Sequence, residues 1–597
     1  MSVTSVDPRA DTPVDINTVK DICSTLGVTI RDGEQDEYRR LLAVFHESAE
    51  EMMAMPDYIP PVDLQRFPRE NVYYPEEKHN DHRAWAWRCS IQDKSDKSKL
   101  GLLAGKTVAL KDVISVKDVP MLMGTEFVKG LIPSADATVT TRILEAGGHI
   151  TGKAVCENLC HSGTSHSAAT GPVENPFARG YSSGGSSSGS GALVALGEVD
   201  MSIGTDQGGS VRIPACNCGL VGLKPTFGLI PYTSCGSMEP TVDHLGPMTH
   251  TVWDNALLLE AIAGNDNIDD RSFGAPLPAA VPKYSKTLAN LSRPKDLSGM
   301  KIGIISEALA IPVMDPRVRA TFLHAAEQLK VLGATVSEVS IPFHLKGPMV
   351  WTGLSKTAEY VTKTSGAPGR RGHAMLELSG LIHDMEQENW DKAYVSTKNI
   401  YLNGAYAAKN FPHLLAKCTN LSRQLRDAYD AALAEYDVLI TPTLPYIATS
   451  HSKTDDTPLP KIAKQVGLTS ATCGFNLTGH PALTLPIGKL EIQEGPLKGS
   501  GVKLPVGLQI VGKWFAEETV FRVALFARAP EEFLELAMTG SGPACQTHSL
   551  KVLNPTAQKH PRAAAEYEVE EDEKLAEQAT LPLAYLPLKW RVEESET

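Results

Sequence analysis

Two glycine-rich turns that carry serine constrain this chain more than any other feature. The first, GGSSSGSG, spans residues 184–191, and the second, GTDQGGS, spans residues 204–210 and leads directly into VRIP. Glycine at this density lets the backbone reach positive φ and lets amide N–H groups converge on one point, as an oxyanion requires. The segment therefore predicts a site in which Ser210 lies on a rigid turn.

The first turn is open to two other interpretations. A serine- and glycine-rich run, viewed alone, is as typical of a flexible linker as of a catalytic loop. However, residues 192–196 are typical of a buried helix and residues 199–203 of a buried strand, so core elements frame the turn. Gly185, Ser187 and Gly189 also match the G-x-S-x-G elbow of α/β-hydrolases. No later Asp and His at clear strand ends support that motif.

The two turns resemble the pattern of the amidase signature family, serine amidases that use a Ser-Ser-Lys triad. The family pattern GGSSGG…GTDxGGSxRxPAxxCGxxGLKPT is matched across residues 184–226. The family also has a lysine in a Lys-Asp pair at the end of an apolar strand, and TVALKD stands at residues 107–112. The resemblance extends over about residues 101–526.

The resemblance implies a role for each part of the pattern. Lys111 is the base, Ser186 is the proton relay on a cis peptide bond after Gly185, and Ser210 is the nucleophile. The oxyanion is held by four backbone N–H groups: Gln207, Gly208, Gly209 and Ser210. A serine hydroxyl is a good nucleophile only when a base accepts its proton. A lysine can be that base only if burial keeps its amine uncharged, and the apolar strand before Lys111 favours such burial. Asp206 and Arg212 are expected to pair and fix the loop.

The residues after the Lys-Asp pair depart from the family. Many relatives carry TTxGS there, whereas this chain has PMLMGT at residues 120–125. If Met121 and Met123 face the site, they and Gly185 contact an apolar acyl group, although methionine is equally typical of ordinary core. The implied reaction is hydrolysis of a carboxamide to an acid and ammonia or an amine. The alternatives are a catalytically inactive binding module, which would not need to keep all three triad residues, and an ammonia-supplying amidotransferase subunit.

Cysteine, charge and hydropathy limit the partners. Ten cysteines in 597 residues are too few for a disulfide scaffold and favour a reducing compartment. Cys156, Cys160, His161 and His166 suggest a partial zinc site, but their spacing fits no standard motif, so we expect neither metal nor cofactor. No basic patch indicates nucleic acid, and no long apolar run or leader indicates a membrane or export. A cytoplasmic enzyme acting on a small amide is predicted.

The order of the elements predicts an α/β fold. Alternating strands and helices favour one large domain, with a mixed, largely parallel-type twisted sheet covered by helices on both faces. Residues 1–80 are predicted as a helical extension, 81–100 as an extended strap, 101–540 as the catalytic domain and 541–597 as an acidic tail. An apolar stripe including Tyr38, Leu41 and Phe45 on the N-terminal helix suggests a homodimer.

Overall fold

A twelve-stranded sheet organises the chain in the computed structural model. The structure describes residues 5–528 apart from 96–100, 129, 292–296, 367–369 and 384. The predicted acidic tail and the last five residues of the predicted strap lie outside these residues. The strands are β1 (Glu70–Tyr73), β2 (Trp85–Ile91), β3 (Thr107–Lys111), β4 (His149–Ala154), β5 (Met201–Thr205), β6 (Val221–Lys224), β7 (Leu245–Thr249), β8 (Lys301–Ile305), β9 (Thr335–Val339), β10 (Val438–Pro442), β11 (Ala482–Glu491) and β12 (Lys503–Gly512).

The sheet is mixed, as the sequence predicts. Its order is β1-β2-β4-β3-β5-β7-β6-β11-β12-β10-β8-β9. The pairs β3–β4, β3–β5, β10–β8 and β8–β9 are parallel. The remaining neighbours are antiparallel. Because β3 and β5 are adjacent and parallel, their carboxyl ends meet at the same edge, and these ends are Lys111 and Thr205.

Helices connect and cover the strands. They are α1 (Ile16–Leu26), α2 (Gln35–Ala54), α3 (Thr138–Glu145), α4 (Ser188–Ala195), α5 (Arg212–Asn217), α6 (Val252–Ile262), α7 (Tyr284–Ala289), α8 (Pro316–Val331), α9 (Gly347–Ser365), α10 (Leu376–Ile382), α11 (Gln387–Lys392), α12 (Val395–Asn410), α13 (Leu414–Glu435), α14 (Pro458–Ala463), α15 (Gly474–Thr478) and α16 (Glu517–Ala527). Of these helices, none combines the length and apolar character that crossing a membrane requires.

Alternation along β3 shows how the two faces of the sheet are buried. Val108 and Leu110 belong to the largest apolar cluster, which also holds side chains from α3, α6, α8 and α16. Ala109 belongs to a second cluster with side chains from α4 and α5. Successive side chains of a strand point to opposite faces, so helices cover both sides, as predicted. By the same alternation, Lys111 follows Ala109 onto the α4 side.

Two helices precede the sheet in the chain. Asp15 caps α1 through a reciprocal capping box with Thr18, and Gly27 ends the helix in the left-handed conformation. The helix predicted to run through Glu51 is confirmed and is α2. Residues 85–91, within the stretch predicted as a strap, form β2, which pairs with β4 in the sheet.

Candidate active site

Lys111 is the buried centre of the site. Its side chain has no exposed surface, and Nζ lies 2.7 Å from Ser186 Oγ and 2.6 Å from Thr205 Oγ1. The carboxylate of the adjacent Asp112 forms an ion pair with Lys153 on β4 instead, with Nζ and Oδ1 3.2 Å apart. Among the described residues, Lys111 has no carboxylate within ion-pair distance. The amine therefore contacts two hydroxyls and the Cys160 thiol. Thr205 belongs to the second glycine-rich turn, but no role beside Lys111 was predicted for it from the sequence.

The first glycine-rich turn brings Ser186 to this amine. Gly184 adopts φ +81°, and the Gly185–Ser186 peptide bond is cis, as the family resemblance implied. A Cβ on Gly189 would lie 2.3 Å from the Ala84 carbonyl oxygen, so only glycine lets α4 approach β2 this closely. The turn and the start of α4 are wholly buried, and a flexible linker is excluded.

An ion pair anchors the second turn. Asp206 and Arg212 are fully buried, and Arg212 Nη2 and Nε donate to the Asp206 carboxylate at 2.9 and 3.0 Å. Burial alone would raise the pKa of Asp206, but the Arg212 guanidinium holds it well below its usual range. The carboxylate also accepts from the N–H of Val211 at 3.2 Å. The predicted pair is confirmed, and it closes the turn around Ser210.

Ser210 is the partly exposed residue of this otherwise buried turn. Its carbonyl accepts a hydrogen bond from the Ser187 N–H at 3.3 Å, so the backbones of the two turns meet. The structure thus brings Lys111 and Ser186 into direct contact and places the Ser210 backbone against the residue that follows Ser186.

The backbone around Ser210 is held from three sides. Trp351 Nε1 on α9 donates to the Gln207 carbonyl at 2.8 Å, and Thr472 Oγ1 donates to the Gly208 carbonyl at 2.6 Å. The Gly209 N–H donates to Asp206 at 2.7 Å. In the described part of the chain, the N–H groups of Gln207, Gly208 and Ser210 have no intramolecular acceptor. Three backbone donors of this turn therefore remain available.

Side chains from far along the sequence complete the anchoring of this loop. Arg212 Nη1 donates to the Thr472 carbonyl at 2.9 Å and to Gln509 Oε1 at 2.8 Å. Asn476 Nδ2 donates to Asp206 Oδ1 at 2.8 Å, and Asn476 Oδ1 accepts from Arg212 Nη2 at 2.7 Å. Asn476 and Gln509 stand in segments that resemble the family, residues 476–482 and 504–512, but their contacts with this loop arise only when the distant segments pack together.

Met121 and Met123 lie in the main apolar cluster rather than at an open surface. The Asp112 carboxylate accepts from the Met123 N–H at 3.0 Å, which keeps their turn beside the end of β3. A cavity of about 150 Å³ lies nearby and is bordered by Tyr232, Arg271 and Met375 among others; neither Met121 nor Met123 borders it.

The histidines considered as zinc ligands have other partners. His161 Nε2 lies 2.9 Å from Glu359 on α9, and its Nδ1 lies 3.2 Å from Thr397. His166 Nε2 lies 3.2 Å from Thr164 Oγ1. Burial lowers the pKa of His161 to about 4, so its imidazole is neutral at physiological pH. Within the residues described, no three His, Cys, Asp or Glu side chains are grouped as metal ligands.

Comparison with known proteins identifies the chain's relatives. The family model described as Amidase matches residues 77–521. An enantioselective amidase from Rhodococcus rhodochrous is 40% identical over 436 residues, covering 72% of this chain and 80% of the relative. A glutamyl-tRNA(Gln) amidotransferase subunit from Koribacter versatilis (strain Ellin345) is 34% identical over 438 residues, covering 73% and 86%. The native peptide amidase from Stenotrophomonas maltophilia superimposes with a TM-score of 0.58 at 27% identity, covering 72% and 82%.

Replacing Asp206 tests the anchoring of the loop. We expect Asp206→Asn to lower the free energy of unfolding by about 3–5 kcal/mol, because Arg212 is left buried without its counter-ion. Urea unfolding measures this loss. Because folding lowers the pKa of Asp206, the pair's contribution is present at neutral pH and disappears only as the pH falls through the folded-state value.

The matched control for this change is Asp81→Asn. Asp81 pairs with Arg179 at the surface, where both side chains are more than half exposed. Its removal should change stability by less than about 1 kcal/mol. Equal stability of Asp206→Asn and wild type at pH 7 would refute the anchoring role.

Proposed function

The chain belongs to the Amidase family, and we propose that it hydrolyses a carboxamide through an acyl-enzyme formed on Ser210. The products are a carboxylic acid and ammonia or an amine. The contact of 2.7 Å between the buried Lys111 Nζ and Ser186 Oγ carries this proposal. It pairs a hydroxyl with an amine that lacks a carboxylate partner among the described residues, as a proton relay requires.

The proton path follows from the two hydroxyl contacts of Lys111. An uncharged amine has one lone pair and two N–H groups, so Nζ accepts the Ser186 proton and donates to Thr205 Oγ1. Ser186 in turn takes the proton of Ser210, whose Oγ attacks the amide carbon. When the carbon–nitrogen bond breaks, Ser186 returns a proton to the leaving nitrogen. Water then attacks the ester carbonyl and releases the acid from Ser210.

The oxyanion is stabilised by the backbone of the second turn. The N–H groups of Gln207, Gly208 and Ser210 are the donors, because the Gly209 N–H already donates to Asp206. These donors are fixed before reaction by Trp351 and Thr472, which bind the adjoining carbonyls. Fixed donors of this kind need no reorganisation when charge develops on the carbonyl oxygen.

The acyl group is proposed to be apolar and of small or medium size. Gly185 is proposed to border it without a side chain, whereas Met121 and Met123 lie in the main apolar cluster and are proposed only to support the neighbouring turn, which is held to Asp112 next to the base. Nine cysteines in the described chain are free thiols, which supports a reducing, cytoplasmic location.

A second candidate function is that of an ammonia-supplying amidotransferase subunit. The amidotransferase relative, 34% identical, is the observation that favours it. Such a subunit would release ammonia from an amide for a partner protein and would co-purify with that partner. Free hydrolysis of simple carboxamides by the isolated chain would favour the first candidate.

The N-terminal helices are proposed to form a homodimer interface. Tyr38, Leu41, Phe45 and Met52 lie along one side of α2, and each is at least two-fifths exposed. Their spacing of three, four and seven residues aligns them as one apolar stripe. A second copy of the stripe would remove this surface from water.

Ser210→Ala tests the nucleophile. We expect the release of ammonia from a panel of aliphatic and aromatic carboxamides to fall by about 10⁴-fold or more, with the melting temperature retained. Esters and carbamates in the same panel define the leaving group. Ser190→Ala is the control, since it removes another buried hydroxyl, whose Oγ donates to the Ile203 carbonyl at 3.3 Å. Full activity of Ser210→Ala would end the proposal.

Lys111→Ala tests the base. Activity should collapse near pH 7 and recover partly above about pH 9, where hydroxide can take the Ser186 proton. The rate is measured from pH 6 to 10. Lys106→Ala, which removes a partly exposed lysine just before β3, should keep the wild-type profile. A Lys111→Ala profile that matches the wild type would refute the assigned role.

Phe45→Asp tests the interface, because it places a charge within the apolar stripe. Sedimentation equilibrium should report a dimer for the wild type and a monomer of 64.3 kDa for the variant. Leu402→Asp is the control, since Leu402 is similarly exposed on α12. A monomeric wild type at micromolar concentration would contradict the interface.

A further inference from the structure

We propose that Glu157 is a positioning residue for Ser186, and that its ionised carboxylate holds the Gly185–Ser186 turn against Lys111. Glu157 lies three residues after β4, at the start of a short 3₁₀ turn of residues 158–160. The inference rests on the proposed relay role of Ser186. It assigns to Glu157 no contact with substrate.

Glu157 contacts both residues of the relay turn. Its backbone N–H donates to the Ser186 carbonyl at 3.1 Å. The Glu157 Cγ would lie 2.9 Å from a Cβ built on Gly185, so the Glu157 side chain packs directly against the Gly185 backbone. Oε1 accepts from Ser188 Oγ at 3.3 Å, at the first residue of α4. Glu157 therefore packs against Gly185 and is hydrogen-bonded to Ser186 through its backbone and to Ser188 through its side chain.

The other carboxylate oxygen is held by a separate loop. Oε2 accepts from the N–H groups of His166 and Ser167, both at 3.1 Å, and from Ser167 Oγ at 2.7 Å. Glu157 thus connects a rigid support to the turn that carries Ser186, which is the arrangement expected of a residue that acts through another.

The carboxylate is buried without a cation. Glu157 has no exposed surface, and no Lys or Arg among the described residues forms an ion pair with it. Burial raises the pKa of Glu157 to about 7, and hydrogen bonds from Ser167, Ser162 and Ser188 limit the rise. A group with such a pKa changes its charge close to neutral pH.

Protonation of Glu157 would disturb the carboxylate oxygen that contacts Ser188, close to Ser186. Oε2 already receives three donors, so a proton would go to Oε1, which faces the Ser188 hydroxyl. That hydroxyl would then have to accept from Oε1 and turn its own proton to the Val155 carbonyl, 3.4 Å away. Because Ser188 is two residues after Ser186, the change would reach the relay. The ionised form is therefore the one that fits the observed donors.

Other titratable groups face Glu157 or the turn it holds. Burial lowers the pKa of His166 to about 3, and burial raises the pKa of Tyr394, so both keep their neutral forms near pH 7. The thiol of Cys160 lies against Lys111 and Ser186 and is hydrogen-bonded to that of Cys156. Cys160 is therefore the group whose titration must be separated from that of Glu157.

The test is the pH dependence of kcat/KM for Glu157→Gln and Glu157→Asp. The wild-type value should rise with pH through about 7, because the free enzyme's Glu157 must ionise. In Glu157→Gln, kcat should fall by about 10²-fold with KM nearly unchanged, and the rise near pH 7 should be absent. Glu157→Asp keeps an ionisable group and should restore the rise and part of kcat.

Two controls separate this role from a general structural one. Glu517 is another wholly buried glutamate, which accepts from the Thr226 N–H at 2.7 Å, and Glu517→Gln should keep the rise near pH 7. Cys160→Ser should also keep it. A Glu157→Gln enzyme with the wild-type pH profile and kcat within twofold of the wild type would overturn the inference. If Glu157→Gln does not fold, a Glu157→Asp profile without the rise does the same.

The Ser210→Ala variant, assayed in parallel, separates failure of the inference from failure of the proposed function. Loss of activity in Ser210→Ala together with a normal Glu157→Gln enzyme refutes only the positioning role. Retained activity in Ser210→Ala refutes the proposed function.

Discussion

The site depends on one amine that is buried among hydroxyls instead of carboxylates. A charged group without a counter-ion is costly to bury, and no carboxylate of the described residues lies within ion-pair distance of this amine. The sequence places Asp112 directly beside Lys111, and an ion pair between them would have favoured the ammonium form. Lys153, which lies on the neighbouring strand β4, prevents this because it pairs with Asp112. Ser186 and Thr205 then satisfy Lys111 as neutral partners.

The rest of the fold brings these partners to one edge of the sheet. Parallel pairing of β3 with β5 sets Thr205 beside Lys111, and the small residues at the start of α4 let the relay turn pack closely above. The Asp206–Arg212 pair is equally buried but works differently. Its two charges satisfy each other and also bind Asn476 and Gln509, so residues about 300 positions apart fix one loop. Removing either residue of the Asp206–Arg212 pair would leave the other charge buried without a partner. The loop therefore depends on both residues.

The family resemblance, more than local chemistry, predicted the roles of Lys111, Ser186 and Ser210. The local sequence did predict the glycine-rich turns and the pairing of Asp206 with Arg212, which stand six residues apart. The helix predicted at residues 192–196 overlaps α4, and the strand predicted at residues 199–203 overlaps β5. Thr205, Trp351 and Glu157 were not predicted, because their roles arise only when separate segments pack together. The engagement of the Gly209 N–H by Asp206 likewise depends on the folded loop.

Glu157 shows how function and stability oppose each other at this site. Folding raises the pKa of this carboxyl from 4.5 to about 7, so the native state favours the protonated form. Its contribution to stability is therefore fully present below the unfolded-state value and is lost as the pH rises through about 7. The ionised form that matches the donors from His166, Ser167 and Ser188 is the less stable one. A buried carboxylate retained without a cation is understandable if its charge is needed where it stands, beside the serine that must reach Lys111.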